Sequence, residues 1–151
     1  MAGTLTPERT AERLCELSAD ARAAVLLDAA GSPASVHGVP AGRAQELAEL
    51  ATLAHDLFEA VDRAHRDLAG GPPEQVEVQV DRGTVYASRT PHWTLAVVAR
   101  RAALSSLMLM DLRAVLSELE GGEPIRRATA AASREGAGFE SPLPELGEDD
   151  R

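Results

Sequence analysis

The chain has 151 residues, and its 15 basic and 24 acidic side chains leave a net charge of −9. That balance argues against nucleic acid and anionic membrane surfaces as partners, because both bind through basic patches. At 44% hydrophobic and 26% charged, the composition is that of one globular domain, long enough to bury a core without a disulfide or metal staple.

Thr6-Pro7-Glu8 reads as a helix start. Thr6 can cap, Pro7 suits the first helical position, and Glu8 favours the positive helix end. Leu14, Cys15 and Leu17 supply the buried side of a helix ending near Asp20. Ala23 to Leu27 is apolar on both faces and too short for a helix before Gly31, so it reads as a central strand. Asp28 to Gly31 is a turn, and Pro33 to Val39 is a weaker strand whose Pro33 and Gly38 suit a sheet edge.

From Ala41 to Leu68, the apolar positions Leu47, Leu50, Ala51, Ala54, Leu57, Phe58, Val61 and Leu68 recur at three and four. Glu49, Asp56, Arg63 and Asp67 lie opposite. This is a long amphipathic helix, ended by Gly70-Gly71-Pro72-Pro73. Glu74 to Val80 alternates polar and apolar strictly, the signature of a strand with one dry face. Asp81-Arg82-Gly83 is a hairpin turn, Thr84 to Ser88 the returning strand, and Trp93 to Ala99 a second central strand after a turn at Pro91. A last helix over Ala102–Leu119 carries Leu104, Met108, Leu112, Val115, Leu116 and Leu119 inward. The order is α-β-β-α-β-β-β-α. With Phe58, Tyr86, Trp93 and Phe139 as the only aromatics, the core is expected to be aliphatic.

Beyond Glu120 the periodicity stops. Residues 1–120 form the expected domain, and 121–151 read as a disordered acidic tail without a core of its own, carrying 4 basic and 7 acidic groups.

Chemistry is limited by what the sequence lacks. Every basic residue is Arg, and neither Lys nor Asn occurs. That removes the phosphate-loop Lys, the pyridoxal Schiff base, the kinase-type Lys and any N-glycosylation acceptor. One cysteine allows no internal disulfide and no multi-Cys zinc site, and Cys15 beside Leu14 reads as a small core filler. Ser32 lies in Ala30-Gly31-Ser32-Pro33 with a strand after it, unlike the strand-to-helix elbow of a serine hydrolase. His55 and His65 are ten residues apart on one helix, ~15 Å along its axis and too distant to share a metal. His65 reads as a core or rim histidine, and His37 and His92 have no neighbouring ligand set. No cofactor and no metal are expected. Nor is a membrane insertion, since no run reaches the ~18 apolar residues of a span. Met1 to Glu8 lacks the basic-then-apolar pattern of a signal peptide, so a cytoplasmic protein is expected.

Apolar surface is left over once the core is assigned. Leu107 and Met110 lie off the stripe of the last helix, either because two helices pack side by side or because a partner covers them. Leu53, Ala60 and Ala64 widen the long helix toward one flank. The strand 75–80 has the look of a sheet edge with few charges to blunt it, which invites pairing with a second copy.

The element order, with Ala24-Val25-Leu26-Leu27-Asp28-Ala29-Ala30-Gly31, the hairpin from Val76 to Tyr86 and the strand Trp93 to Val98, resembles the roadblock/dynein-light-chain family over residues 5–119. The resemblance implies an α+β, roadblock/profilin-like sandwich: a five-stranded antiparallel sheet with one long helix on one face and two helices on the other. It also implies a homodimer joined at Val76, Glu77, Val78, Gln79 and Val80, with the long helices meeting along the Leu53 and Ala60 flank. Such dimers serve as adaptors or regulators of small Ras-like GTPases, in bacteria commonly encoded beside the GTPase. Leu107 and Met110 are then candidates for the partner surface, and the GTPase, not this chain, holds the nucleotide. Arg82, Arg89, Arg100 and Arg101 lie near turns, and none is assigned as an arginine finger. Two other readings stay open: an acidic dimeric secretion chaperone with a hydrophobic groove for an unfolded client, and a small enzyme whose pocket the sequence does not reveal.

Overall fold

The structure, a computed structural model, describes residues 4–38, 43–66, 74–81 and 83–122. Its elements are α1 (Pro7–Leu17), β1 (Ala21–Asp28), β2 (Pro33–His37), α2 (Ala44–His65), β3 (Gln75–Val80), β4 (Gly83–Arg89), β5 (Trp93–Ala99) and α3 (Ser105–Leu119). The five strands form one sheet in the order β2-β1-β5-β4-β3, antiparallel at every pairing. The α+β class and the α-β-β-α-β-β-β-α order are as the sequence implied. The expected tail from Glu123 onward lies outside the described residues, as do Val39 and the segment 67–73.

Period-two alternation sorts the sheet into two cores. Ala24 and Leu26 of β1, Tyr86 of β4 and Leu95 and Val97 of β5 face α1 and α3, where they bury Leu14, Met108, Leu112 and Val115. Val25, Leu27, Ala87 and Ala96 point to the other face and pack under Ala51, Ala54 and Phe58 of α2. Each fully buried Leu or Val contributes ~1.5–3 kcal/mol relative to exposure. The apolar runs of β1 and β5 are therefore explained by a helix on each side. Arg13 of α1 reaches Glu118 of α3 at 3.4 Å, tying the paired helices together.

Local details depart from the sequence expectations. The core is not wholly aliphatic: Tyr86 and Phe58 are the largest fully buried side chains. Tyr86 tolerates burial because its hydroxyl lies 3.1 Å from Ser105 Oγ. Cys15 and Leu17 are only half-buried, whereas Leu14 is buried completely. Thr6 has the extended backbone of a cap but makes no side-chain capping bond; its carbonyl instead accepts a hydrogen bond from Thr10 Oγ1 at 2.8 Å. α3 begins at Ser105 and not at Ala102, because Arg100 to Ala103 forms a turn closed by the Ala103 N–H on the Arg100 carbonyl at 3.0 Å. The Asp28–Gly31 turn is real. Asp28 Oδ1 accepts the N–H groups of Ala30 and Ser32, each at 2.9 Å, and Gly31 takes a φ of +85° with the His55 ring against it.

Candidate interaction surfaces

β3 ends the sheet. Its six residues pair with β4 in unbroken register from Gln75 opposite Ser88 to Val80 opposite Gly83, and its outer edge has no strand partner among the described residues. The side chains that alternation sends toward α3 are held there. Gln75 Nε2 donates to the Leu109 carbonyl at 2.9 Å, and Ser105 Oγ donates to Glu77 Oε1 at 3.0 Å. Gln79 is exposed, and the Val80 side chain lies outside the described part. Val76 and Val78 turn to the α2 face, where Val76 packs against the smaller core. β3 is thus anchored on its polar side and open along its backbone.

On the α2 face, the open edge runs beside a cleft of about 180 Å³ lined by Leu50, Leu53, Ala54, Leu57, Val76, Val78, Val85 and Ala87, all apolar. Leu53 is 62% exposed at its rim. Along α2, the row Leu50, Leu53, Leu57, Ala60 and Ala64 repeats at three, four, three and four, with Leu50 and Leu57 half-buried and Ala60 and Ala64 exposed. That spacing is the narrow seam by which two helices pair, and its small C-terminal members allow close approach. The structure therefore brings Leu53, Val76 and Val78 to one cleft and extends it along α2 through Ala60. Leu57, which the sequence places in the apolar stripe of the helix, lies half-buried in this row.

Leu107 and Met110 lie on the opposite face of the sheet. They are 36% and 55% exposed on the outer side of α3, and Leu104 at its start is 67% exposed. Packing of α1 against α3 does not cover them, so the side-by-side explanation of the wide stripe does not account for these two residues.

A third surface lies at the end of the sheet where α2 and α3 both finish. It is a groove of about 940 Å³ between the β4–β5 turn, the last turns of α2 and the C-terminus of α3. Arg89 grips both carboxylate oxygens of Asp62, with its Nη1 at 2.8 Å from Oδ2, and its guanidinium stacks over the Phe58 ring at 4.6 Å. The hydrogen bond from Arg89 holds the Asp62 carboxyl below the usual carboxylate range, against an opposing push from desolvation and with added attraction from the charges of Arg89, Arg66 and His65. Nearby, Arg113 reaches Glu74 at 3.5 Å between two largely exposed side chains, and His55 lies 3.5 Å from Glu59. Sequence reading missed this site because its members come from four elements with no shared spacing.

Among the described residues there is no group of three His, Cys, Asp or Glu side chains placed to hold a metal ion. No helix there is long and apolar enough to cross a membrane. Arg89 is committed to Asp62 and Phe58; Arg100 and Arg101 are exposed after β5, and Arg82 lies outside the described residues.

Comparison with known proteins agrees with this architecture. Residues 10–99 match the family model of the Roadblock/LC7 domain. A Roadblock/LC7 domain from Streptomyces avermitilis superposes with a TM-score of 0.67 at 24% identity, covering 78% of this chain and 97% of its own. Myxococcus xanthus MglB gives 0.64 at 16% identity, over 76% of this chain and 85% of that one. An MglB solved in a tetrameric arrangement gives 0.62 at 20% identity, over 74% and 82%. Among individually curated proteins, none matches.

Proposed function

The chain belongs to the Roadblock/LC7 domain family, and from that premise we propose that it is a homodimeric adaptor that binds a small Ras-like GTPase and modulates its nucleotide cycle or its location. Family membership supports a GTPase-regulator type of role. The observation that carries the dimer is the coincidence of an open strand edge with an all-apolar cleft and a helix-pairing seam on the same flank. Two copies related by a twofold axis would pair β3 with β3 and continue the sheet, while α2 meets α2 along Leu53, Leu57 and Ala60. The tetrameric arrangement named for an MglB relative supports self-association in this fold.

In this reading the chain contributes contacts, and its partner contributes the nucleotide. With no Lys in the sequence, it has no phosphate-loop ammonium to offer. The exposed α3 residues Leu107 and Met110 face away from the join and are the patch we assign to the partner. A secretion chaperone has less support, since the apolar cleft holds only about 180 Å³ and an unfolded client needs an extended groove.

The tests are separate for the two parts. Light scattering on the eluting protein at micromolar concentration should give twice the chain mass; a monomer there rejects the joined sheet. A Ras-like GTPase encoded beside this chain, loaded with GTP or GDP, should co-elute with it in one nucleotide state more than the other. Met110→Arg should weaken that complex and leave the dimer intact. Absence of binding in both nucleotide states rejects the regulator role for that GTPase.

A further inference from the structure

We propose that the start of α3 docks an acidic protein surface, an apolar spot ringed by Asp or Glu that sits on Leu104, Leu107 and Met110 and meets Arg22, Arg100 and Arg101. This rests on, and deepens, the assignment of Leu107 and Met110 to a partner.

Charge on the other helices is compensated at short range. On α1, Arg9 reaches both Glu12 and Glu16; on α2, Arg43 reaches Glu46 and Asp62 is gripped by Arg89. The outer side of α3 departs from this. Between residues 100 and 117 the only acid is Asp111, which is buried, so every exposed charge there is an arginine: Arg100, Arg101 and Arg113. Arg113 leans on Glu74 in a solvent-exposed pair of little strength. Arg100 and Arg101 form no ion pair among the described residues, and neither does Arg22, exposed near the start of β1. The sheet gathers these three. Ala21 pairs with Ala99, and the Arg100 N–H donates to the Asp20 carbonyl at 2.9 Å. Asp20 and Asp81 share this end of the sheet, and neither forms an ion pair with the three arginines. A chain of net charge −9 thus keeps uncompensated positive charge at one place.

The exposed apolar side chains begin at that same place. Leu104 precedes α3, and Leu107 and Met110 follow at intervals of three on its outer side, with the small, exposed Ser106 between. Met and Arg are enriched where proteins meet, and complementary charge at the rim steers the encounter. An anionic bilayer is the other surface that basic and apolar side chains suit. Net charge opposes it here, and three arginines fall short of the about four to eight that hold a protein to such lipid. An acidic protein surface meets the same side chains without that opposition, because its contact is confined to the patch.

The test uses the full chain and two synthetic helical peptides with leucines at a three-and-four spacing. One carries Glu at its other positions, and its twin carries Lys. Anisotropy of the labelled acidic peptide should show saturable binding that weakens at least ~10-fold between ~0.05 and ~0.5 M salt. Arg100→Glu with Arg101→Glu should weaken it at least ~10-fold, whereas Arg63→Glu with Arg66→Glu, the same charge change on the other face, should cost less than ~2-fold. The Lys twin should not bind, and phosphatidylserine vesicles should not sediment the chain. No binding of the acidic peptide, equal binding of both peptides or equal loss in the two double variants overturns the proposal. Sedimentation with the vesicles overturns it in favour of lipid. Co-elution with the GTPase decides the adaptor reading separately. A GTPase that binds the Arg100→Glu, Arg101→Glu chain as tightly as the parent upholds that reading and overturns this patch as its dock. Binding of the acidic peptide with no GTPase bound in either nucleotide state upholds the patch and rejects that GTPase.

Discussion

The two edges of the sheet are built differently. β2 is five residues long, opens on Pro33, and slips register against β1 between Leu26 and Leu27. Helix α1 leans on it: Ser35 Oγ accepts the Ala11 N–H at 3.2 Å. A proline, a bulge and a covering helix are the devices by which natural edges refuse further strands. β3 has none of them. It is six residues long, contains no proline, and keeps its register throughout. Beside it lies an apolar cleft, where β2 offers a lone exposed Val36. One edge is closed against addition, and the other is left open.

That contrast can be tested against a yardstick from the core both edges share. Leu112 is fully buried beneath α3, and Leu112→Ala should cost ~2–5 kcal/mol. The loss should appear in denaturant unfolding at every protein concentration. Leu53→Arg should act on association instead. Leu53 is already 62% exposed, so the fold accepts the change, while a charge in the proposed seam should raise the dimer dissociation constant at least ~100-fold, or ~2.7 kcal/mol. Dilution followed by light scattering reads this directly, and a Leu53→Arg dimer as tight as the parent breaks the comparison.

Smaller effects sharpen it. Gly121→Ala places a side chain at a φ of +92° in open space, so only the backbone penalty of ~1 kcal/mol should be felt in thermal unfolding. Asp62→Asn removes the carboxylate that Arg89 grips. Because the folded Asp62 carboxyl lies below its unfolded value, its stabilisation is present above the unfolded value and is lost as pH falls through the folded one. The difference between parent and variant should therefore be seen at neutral pH and vanish on acidification; a difference that persists in strong acid contradicts the ion pair. Last, Val36→Arg on the closed edge should stay within ~0.5 kcal/mol and leave the oligomeric state unchanged.

Much of the fold was legible because its signals are local. The strict alternation of Gln75 to Val80 marked a strand with one dry face, and the two-sided apolar runs around Val25 and Val97 marked strands covered from both sides. The three-and-four spacing along α2 marked its buried stripe. Other features could not be read that way. Tyr86 is buried because Ser105, nineteen residues later, arrives at its hydroxyl. α3 starts late because the chain first turns at Arg100. The Asp62–Arg89–Phe58 cluster joins two elements 27 residues apart, and no periodicity announces such a meeting. The flank of Leu53, Ala60 and Ala64 was legible in the spacing, but that Leu50 and Leu57 are only half-buried beside it was not.

What the sequence determined by itself was the kind and order of the elements and which residues share a face, since propensity and periodicity act between near neighbours. The edges were legible as well: Pro33 and Gly38 marked one outer strand, and the unblunted alternation of Gln75 to Val80 marked the other. What three dimensions alone decided was the order between them and the surroundings of each edge. β5 inserts between β1 and β4, and α2 lays Leu50, Leu53 and Leu57 beside Val76 and Val78 of β3. That arrangement depends on pairing and packing energies summed over the whole sheet, which no spacing between near neighbours carries.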